Sequence, residues 1–303
     1  MNEIKSVGLI GLGAVGALYA ERLLATGAQL RVIVDAERKV RYEAAGVYVN
    51  GRRIDFPYAT PDEAAPVDLL LIATKANGLR AAMETAAGFV GPDTRIISLL
   101  NGVVSEGIVA ERFGAVQVLY SVAQGMDAVM VNGRLTYTHP GQIVLGEREP
   151  GAISARVRAV AAYLTAHGVQ VTPVEDMVRR QWAKLMLNVG INQACMVFAC
   201  SYDGVQKPGK PRDTMIGAMR EAQTLARLEG YPISDAEFDE WIALADSLAP
   251  EGKPSMRQDG EAHRKSEVEL FAGTMIALGR RHGVPTPVND WLYEQVKAIE
   301  AGY

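Results

Sequence analysis

Three glycines, Gly11, Gly13 and Gly16, stand between the apolar run KSVGLIG and the amphipathic stretch AVGALYAERLLATG. A GxGxxG spacing in that strand-to-helix setting constrains the fold far more than the bare pattern would. The first glycine permits a tight turn, the second lets backbone approach a pyrophosphate, and the third lets helix and strand pack closely. The helix start then offers free N–H groups and the positive end of its dipole. The loop Gly11, Leu12, Gly13, Ala14, Val15 and Gly16 is therefore expected to hold a dinucleotide. Asp35 ends the next apolar run, QLRVIVD, nineteen residues after Gly16. An acid there accepts hydrogen bonds from the adenine ribose hydroxyls and repels a 2′-phosphate, which tilts the expected cofactor toward NAD over NADP. Arg38 and Lys39 are close enough in sequence to blur that choice. The competing account of Asp35 is a solvated acid at a strand end.

The runs VDLLLIATK, TRIISLLNG and VQVLYSVAQG continue the pattern of KSVGLIG and QLRVIVD, with helical stretches between them. Continuous branched apolar runs of this kind suit strands buried on both faces of a doubly wound parallel sheet, giving an α/β fold of Rossmann type. From about Met126, the turn-like VNGR and HPGQ separate short alternating runs and predict antiparallel strands added at the edge. After Asp176 the β-like runs disappear. The expected organisation is a dinucleotide-binding domain over residues 1–175 and an all-helical substrate-binding or dimerisation domain over 176–303, with room for a homodimer interface.

The 31 basic and 35 acidic residues give a formal net charge of −4 without a basic face or long charge block. That balance speaks against nucleic acid and anionic membranes and for a small-molecule partner. Cys195 and Cys200 match neither a redox pair nor a zinc knuckle and read as buried thiols. The first residues lead into a strand without the regions of a signal peptide, and no run approaches a membrane span, so a cytoplasmic protein is expected.

Ligands of open α/β sheets bind beyond the carboxyl ends of the strands. Lys75 follows DLLLIAT and Asn101 follows IISLL. Each has an ordinary alternative as a solvated lysine or a turn asparagine; their shared location favours contact with cofactor or substrate. In RRQWAKLMLNVGINQACMVFA, Lys184, Asn188 and Asn192 recur every fourth residue among apolar neighbours. In a helix they form one polar stripe ~12 Å long. A lysine partly desolvated there can protonate the alkoxide that hydride delivery to a ketone creates. Metal polarisation is the competing solution, but His139, His167, His263 and His282 are scattered, and a metal-free dehydrogenase is expected. Ser255, with Gln258 three residues on, has the spacing of a helix capping box. Glu267 lies in a helical pattern and by itself reads as an exposed acid.

Taken in order, GLGAVG, TKAN, LLNGV, THPGQIVLGE, WAKLMLNVGIN, and PSMRQD followed by SEVE resemble the ketopantoate reductase (2-dehydropantoate 2-reductase) family over essentially the whole chain. The resemblance implies reduction of a 2-oxo acid to the D-2-hydroxy acid by NAD(P)H. It makes Lys184 the general acid, gives Asn188 and Asn192 substrate hydroxyl or carboxylate groups to hold, and gives Ser255 the carboxylate. Glu267 would touch substrate or the nicotinamide ribose, and Lys75 and Asn101 would line the cofactor and ketone site. Two positions depart from the family. Many members carry an arginine where Asp35 stands, and this chain has SYDGV, with Tyr202 and Asp203, where members often carry an Asn-Gly turn.

Three readings follow. The first is a ketopantoate-type reductase. The second is an NAD-dependent D-2-hydroxy acid dehydrogenase for branched or aromatic 2-oxo acids, favoured by Asp35 and the missing Asn-Gly turn. The third is a non-catalytic dinucleotide sensor, which would have no use for a proton donor at Lys184.

Overall fold

In the computed structural model, which describes residues 3–303, the chain runs β1 (Ser6–Ile10), α1 (Ala14–Ala25), β2 (Gln29–Ile33), α2 (Ala36–Ala45), β3 (Val47–Val49), β4 (Arg52–Ile54), β5 (Tyr58–Ala59) and β6 (Val67–Ile72). It continues through α3 (Leu79–Ala86), β7 (Val90–Ser98), α4 (Ser105–Phe113), β8 (Val118–Met126), β9 (Val129–Val131), β10 (Arg134–Thr136), β11 (Pro140–Gly146), α5 (Ala155–Ala166) and β12 (Val171–Pro173). Eight strands form one sheet in the order β12-β11-β8-β7-β6-β1-β2-β5. Every pairing in it is parallel except β8 with β11, so the sheet is mixed and mostly parallel.

The apolar runs form strands because both of their faces have a core to enter. Leu69 and Leu71 pack into one cluster with Leu9, Ile97 and Leu119, whereas Leu70 and Ile72 pack into another with Ile10, Ile96 and Val118. Side chains alternate across a strand, so one run feeds both layers. Asp68 is the polar exception in β6. Its carboxylate accepts the Lys5 and Ser6 backbone N–H groups and the Ser6 hydroxyl, each at 2.9 Å, and pins the start of β1.

The antiparallel strands expected after Met126 form, but they divide between two sheets. VNGR makes the turn of the antiparallel hairpin β9–β10, with Asn132 and Gly133 both at positive φ, as a tight two-residue hairpin requires. That hairpin leaves the main sheet, however, and β10 pairs with β3 in a separate four-stranded sheet, β4-β3-β10-β9. HPGQ makes no turn between strands. Pro140 already belongs to β11, opposite Met126 of β8.

The first compact unit runs to Val178 and the second from Arg179 to Tyr303, a division that falls inside α6 (Met177–Val197). The second unit is helical: α7 (Tyr202–Gln206), α8 (Lys210–Leu228), α9 (Asp235–Asp246), α10 (Ser255–Glu261), a π-helical turn Glu269–Gly273, α11 (Thr274–His282) and α12 (Pro287–Glu300). Met215, Ala218, Met219, Ala222, Leu225 and Ala226 form the buried stripe of α8. Helices α6 and α8 approach so closely at Gly190 that a Cβ there would lie 2.5 Å from Met219 Cγ and 2.8 Å from the Met215 carbonyl oxygen. No helix among the described residues is long and apolar enough to cross a membrane.

Candidate active site

The first unit contributes a loop shaped for a dinucleotide. Gly11 has φ +102°, and a Cβ there would lie 2.7 Å from the Ala73 carbonyl group, so the turn is pressed against the end of β6. At Gly16 a Cβ would meet the Gly11 carbonyl oxygen at 1.8 Å; only glycine lets α1 start this close to β1. At Gly13 a Cβ would meet nothing within 4 Å. Gly13 also caps α1 without a side chain, leaving the first helical N–H groups to face a ligand. Two of these glycines are thus required by packing. Gly13 is required by neither packing nor a positive φ, which fits a backbone that must come close to a pyrophosphate.

Strand order brings the other expected residues of this unit to the same edge. The Ala73 N–H donates to the Ile10 carbonyl and the Leu99 N–H to the Ile72 carbonyl, both at 2.8 Å, so the ends of β1, β6 and β7 lie side by side. Lys75 follows the end of β6, exposed and opening a short 3-10 turn, and Asn101 follows β7 next to Gly102 at φ +89°. Beneath Asn101 lies a buried serine network absent from the sequence reading. Ser98 Oγ and Ser105 Oγ are 2.8 Å apart, the Leu100 N–H donates to Ser98 Oγ at 3.4 Å, and the Ser121 hydroxyl donates to the Ser98 carbonyl.

Asp35 is more than a solvated strand-end acid. It is the N-cap of α2: Oδ1 accepts the Arg38 N–H at 2.7 Å, and Oδ2 pairs with the Arg38 guanidinium. The cap belongs to the helix whatever the cofactor.

In the second unit, α6 carries the expected stripe. Asn192 is 4% exposed, and its Nδ2 donates to Asn188 Oδ1 at 3.3 Å. Its Oδ1 accepts the Ser255 hydroxyl at 3.0 Å and the Met256 N–H at 3.2 Å. The predicted capping box at Ser255 does not form. Pro254 occupies the N-cap, Ser255 is the first helical residue, and Gln258 donates to the Lys253 carbonyl instead. The Ser255 hydroxyl serves α6 rather than its own helix. Glu267 likewise lies outside any helix, in the bend before the π-helical turn, where its carbonyl accepts the Leu270 and Phe271 N–H groups at 2.9 and 3.1 Å. Such turns recur at functional sites because the extra residue re-aims the chain.

Lys184 is the electrostatic centre of this group. Burial pushes its pKa down to about 8; the Glu267 carboxylate opposes that shift and the Arg180 guanidinium adds to it. Arg180 was not singled out from the sequence, although it continues the four-residue spacing of Lys184, Asn188 and Asn192. An ammonium with a pKa near 8 is charged at neutrality and releases its proton readily to an alkoxide. Tyr202 and Asp203 sit at the start of α7, their N–H groups bound to the Gly252 and Pro250 carbonyls, with Asp203 paired to Lys207 at 3.3 Å.

Comparison with known proteins places this geometry among relatives. Residues 7–150 match the family model described as ketopantoate reductase PanE/ApbA, and residues 176–300 match its C-terminal counterpart. The chain is 25% identical over 300 residues to 2-dehydropantoate 2-reductase of Vibrio cholerae, covering 97% of this chain and 98% of the relative. The crystal structure of 2-dehydropantoate 2-reductase from Geobacter metallireducens superposes with a TM-score of 0.83 at 26% identity, covering 97% and 99% of the two chains. A ternary structure of D-mandelate dehydrogenase with NADH and anilino(oxo)acetate has a TM-score of 0.87 at 22% identity, covering 98% of each chain. A dimeric ketopantoate reductase from Staphylococcus aureus has a TM-score of 0.79 at 20% identity, covering 98% and 99%.

Proposed function

Because the chain belongs to the ketopantoate reductase family, an NAD(P)-dependent group of oxidoreductases, we propose that it reduces a 2-oxo acid to the D-2-hydroxy acid, with ketopantoate the first candidate substrate and Lys184 the proton donor. One observation carries the reading beyond family membership: a lysine with its pKa lowered by burial stands on the same helix face as Asn188 and Asn192, and Asn192 is tied to Ser255.

The dinucleotide, when bound at the Gly11–Gly16 loop, supplies the hydride. The residues of the chain do the rest. Lys184 Nζ holds a proton for the oxygen that becomes the hydroxyl, breaking an N–H bond as the O–H bond forms and leaving a neutral amine. Glu267 stabilises the ammonium before transfer and afterwards favours return of a proton from water to the neutral amine. Asn188 offers amide groups to the polar end of the substrate, and Ser255 its hydroxyl to the carboxylate. Lys75 and Asn101, which follow β6 and β7 in the first unit, are assigned to contact with the cofactor or the ketone. A homodimer, the assembly of the Staphylococcus aureus relative, is part of the proposal, and size-exclusion chromatography with light scattering tests it directly.

A second reading has its own observations. The D-mandelate dehydrogenase structure with NADH and anilino(oxo)acetate shares this fold, and the chain carries Asp35 and the SYDGV sequence where the family resemblance implies an arginine and an Asn-Gly turn. These favour an NADH-dependent enzyme for branched or aromatic 2-oxo acids. Initial rates of NADH and NADPH oxidation with ketopantoate and a panel of branched and aromatic 2-oxo acids separate the two. Preference for ketopantoate supports the first reading, selective turnover of an aromatic or branched acid with NADH the second, and turnover of none overturns both.

A further inference from the structure

The polar row on α6 begins one turn before Lys184. Arg180 precedes it by four residues, which places the two Cβ atoms about 5–6 Å apart on one helix face. Like charges at this spacing destabilise a helix, and the neighbours along the chain are mostly apolar and buried: Trp182, Ala183, Leu185 and Met186. An arginine with no role would turn its head into water. Instead its guanidinium carbon lies 4.8 Å from the centroid of the Trp241 ring, on α9, and that indole is only 8% exposed. Stacking on a buried indole fixes a planar cation and partly strips it of water, an attraction of about 0.5–2 kcal/mol.

The two cations respond to these surroundings differently. Burial lowers the Arg180 pKa as well, but a guanidinium starts so far above neutrality that it stays charged. The Lys184 ammonium can give way. The charged groups that act on it are Glu267, which favours the ammonium, and Arg180, which disfavours it. We propose that Arg180 is a positioning residue for proton transfer: its guanidinium, held on the Trp241 ring, is a fixed like charge that opposes Glu267 and keeps Lys184 ready to release its proton. Without it, the carboxylate would hold the ammonium more tightly, and the N–H bond would break less readily as the substrate O–H bond forms. This rests on the reading of Lys184 as the proton donor.

The experiment is a direct NMR titration of the Lys184 Nζ in the protein without cofactor or substrate, assigned by the signal lost in Lys184→Met. Its companion is the pH profile of kcat/KM for reduction. Arg180→Gln is expected to raise the Lys184 titration by about 0.5 to 2 on the pH scale, the range for unit charges taken at the ~6 Å Cβ spacing of such a pair and effective dielectrics between that of water and 20. The fall of kcat/KM on the alkaline side should move up with it. Arg180→Met tests the same loss should the glutamine variant fold poorly, and Arg180→Lys should restore most of the wild-type position. An unmoved titration in folded Arg180→Gln and Arg180→Met, with Lys184→Met inactive, would overturn the role of Arg180 alone. Full turnover in Lys184→Met would instead overturn the proton-donor reading and, with it, the positioning role.

Discussion

The Ser255 hydroxyl donates to Asn192 Oδ1 at 3.0 Å across 63 positions of sequence, and the adjacent Met256 N–H donates to the same oxygen at 3.2 Å. Asn192 thereby ties the start of α10 to α6 while its other end holds Asn188. Removing it leaves the buried Met256 N–H unsatisfied, at a cost of about 1–3 kcal/mol. Asn192→Ala should lower the thermal midpoint and raise KM for the oxo acid more than it lowers kcat. Ser255 is itself exposed, so Ser255→Ala should raise KM with little change in midpoint. Equal melting losses in the two variants would contradict this division.

The glycine loop yields a contrast between two single substitutions. Gly13→Ala adds a Cβ into open space and should leave the thermal midpoint nearly unchanged while weakening NADH binding at least about tenfold, roughly 1.4 kcal/mol. Gly16→Ala drives a Cβ to 1.8 Å from the Gly11 carbonyl oxygen and should lower the midpoint as well. Fluorescence titration of NADH beside thermal melts checks both; unchanged binding in Gly13→Ala would remove the pyrophosphate from this loop.

Asp35 must be tested without breaking the cap of α2. Asp35→Ser keeps an oxygen for the Arg38 N–H and removes the charge, whereas Asp35→Ala also loses a cap contributing about 1 kcal/mol. Asp35→Ser should shift the ratio of kcat/KM for NADPH over NADH upward, by about tenfold, at near wild-type stability. An unchanged ratio would leave Asp35 as a cap alone.

The lowered pKa of Lys184 ties stability to pH. Its folded value of about 8 lies below the ordinary lysine value of 10.5, so between these pH values the unfolded chain binds more protons and stability rises with pH. Below about pH 8 the ammonium is disfavoured by its surroundings; above about 10.5 that penalty is gone. The thermal midpoint of wild type relative to Lys184→Met should therefore climb from pH 8 toward 10.5. A difference flat across that window would mean that Lys184 is solvated.

What the sequence made legible was local. The glycine loop, the alternation that feeds two cores, and the row Lys184, Asn188, Asn192 each lie within one or two elements, where spacing alone fixes the face. Contacts across long separations were not legible: Ser255 has capping-box spacing, yet its hydroxyl is drawn to an asparagine on another helix, with Pro254 taking the cap. Glu267 reads as helical because a π-helical turn and its flanks keep a near-helical pattern. The strands β3 and β4, three residues each, are too short to show a period. Arg180 was missed because an arginine near a helix start reads as solvated, and only the ring of Trp241, 61 residues on, shows otherwise.

The most direct test compares wild type with Lys184→Met in NADH and NADPH oxidation driven by ketopantoate and by branched and aromatic 2-oxo acids, with nucleotide affinity measured alongside. The account predicts oxo acid-dependent oxidation by wild type and a loss of about 10²–10⁴-fold in the variant, the usual contribution of a positioned acid, at unchanged nucleotide affinity. Turnover in Lys184→Met within tenfold of wild type, or no oxidation by wild type with any of these acids, would contradict it.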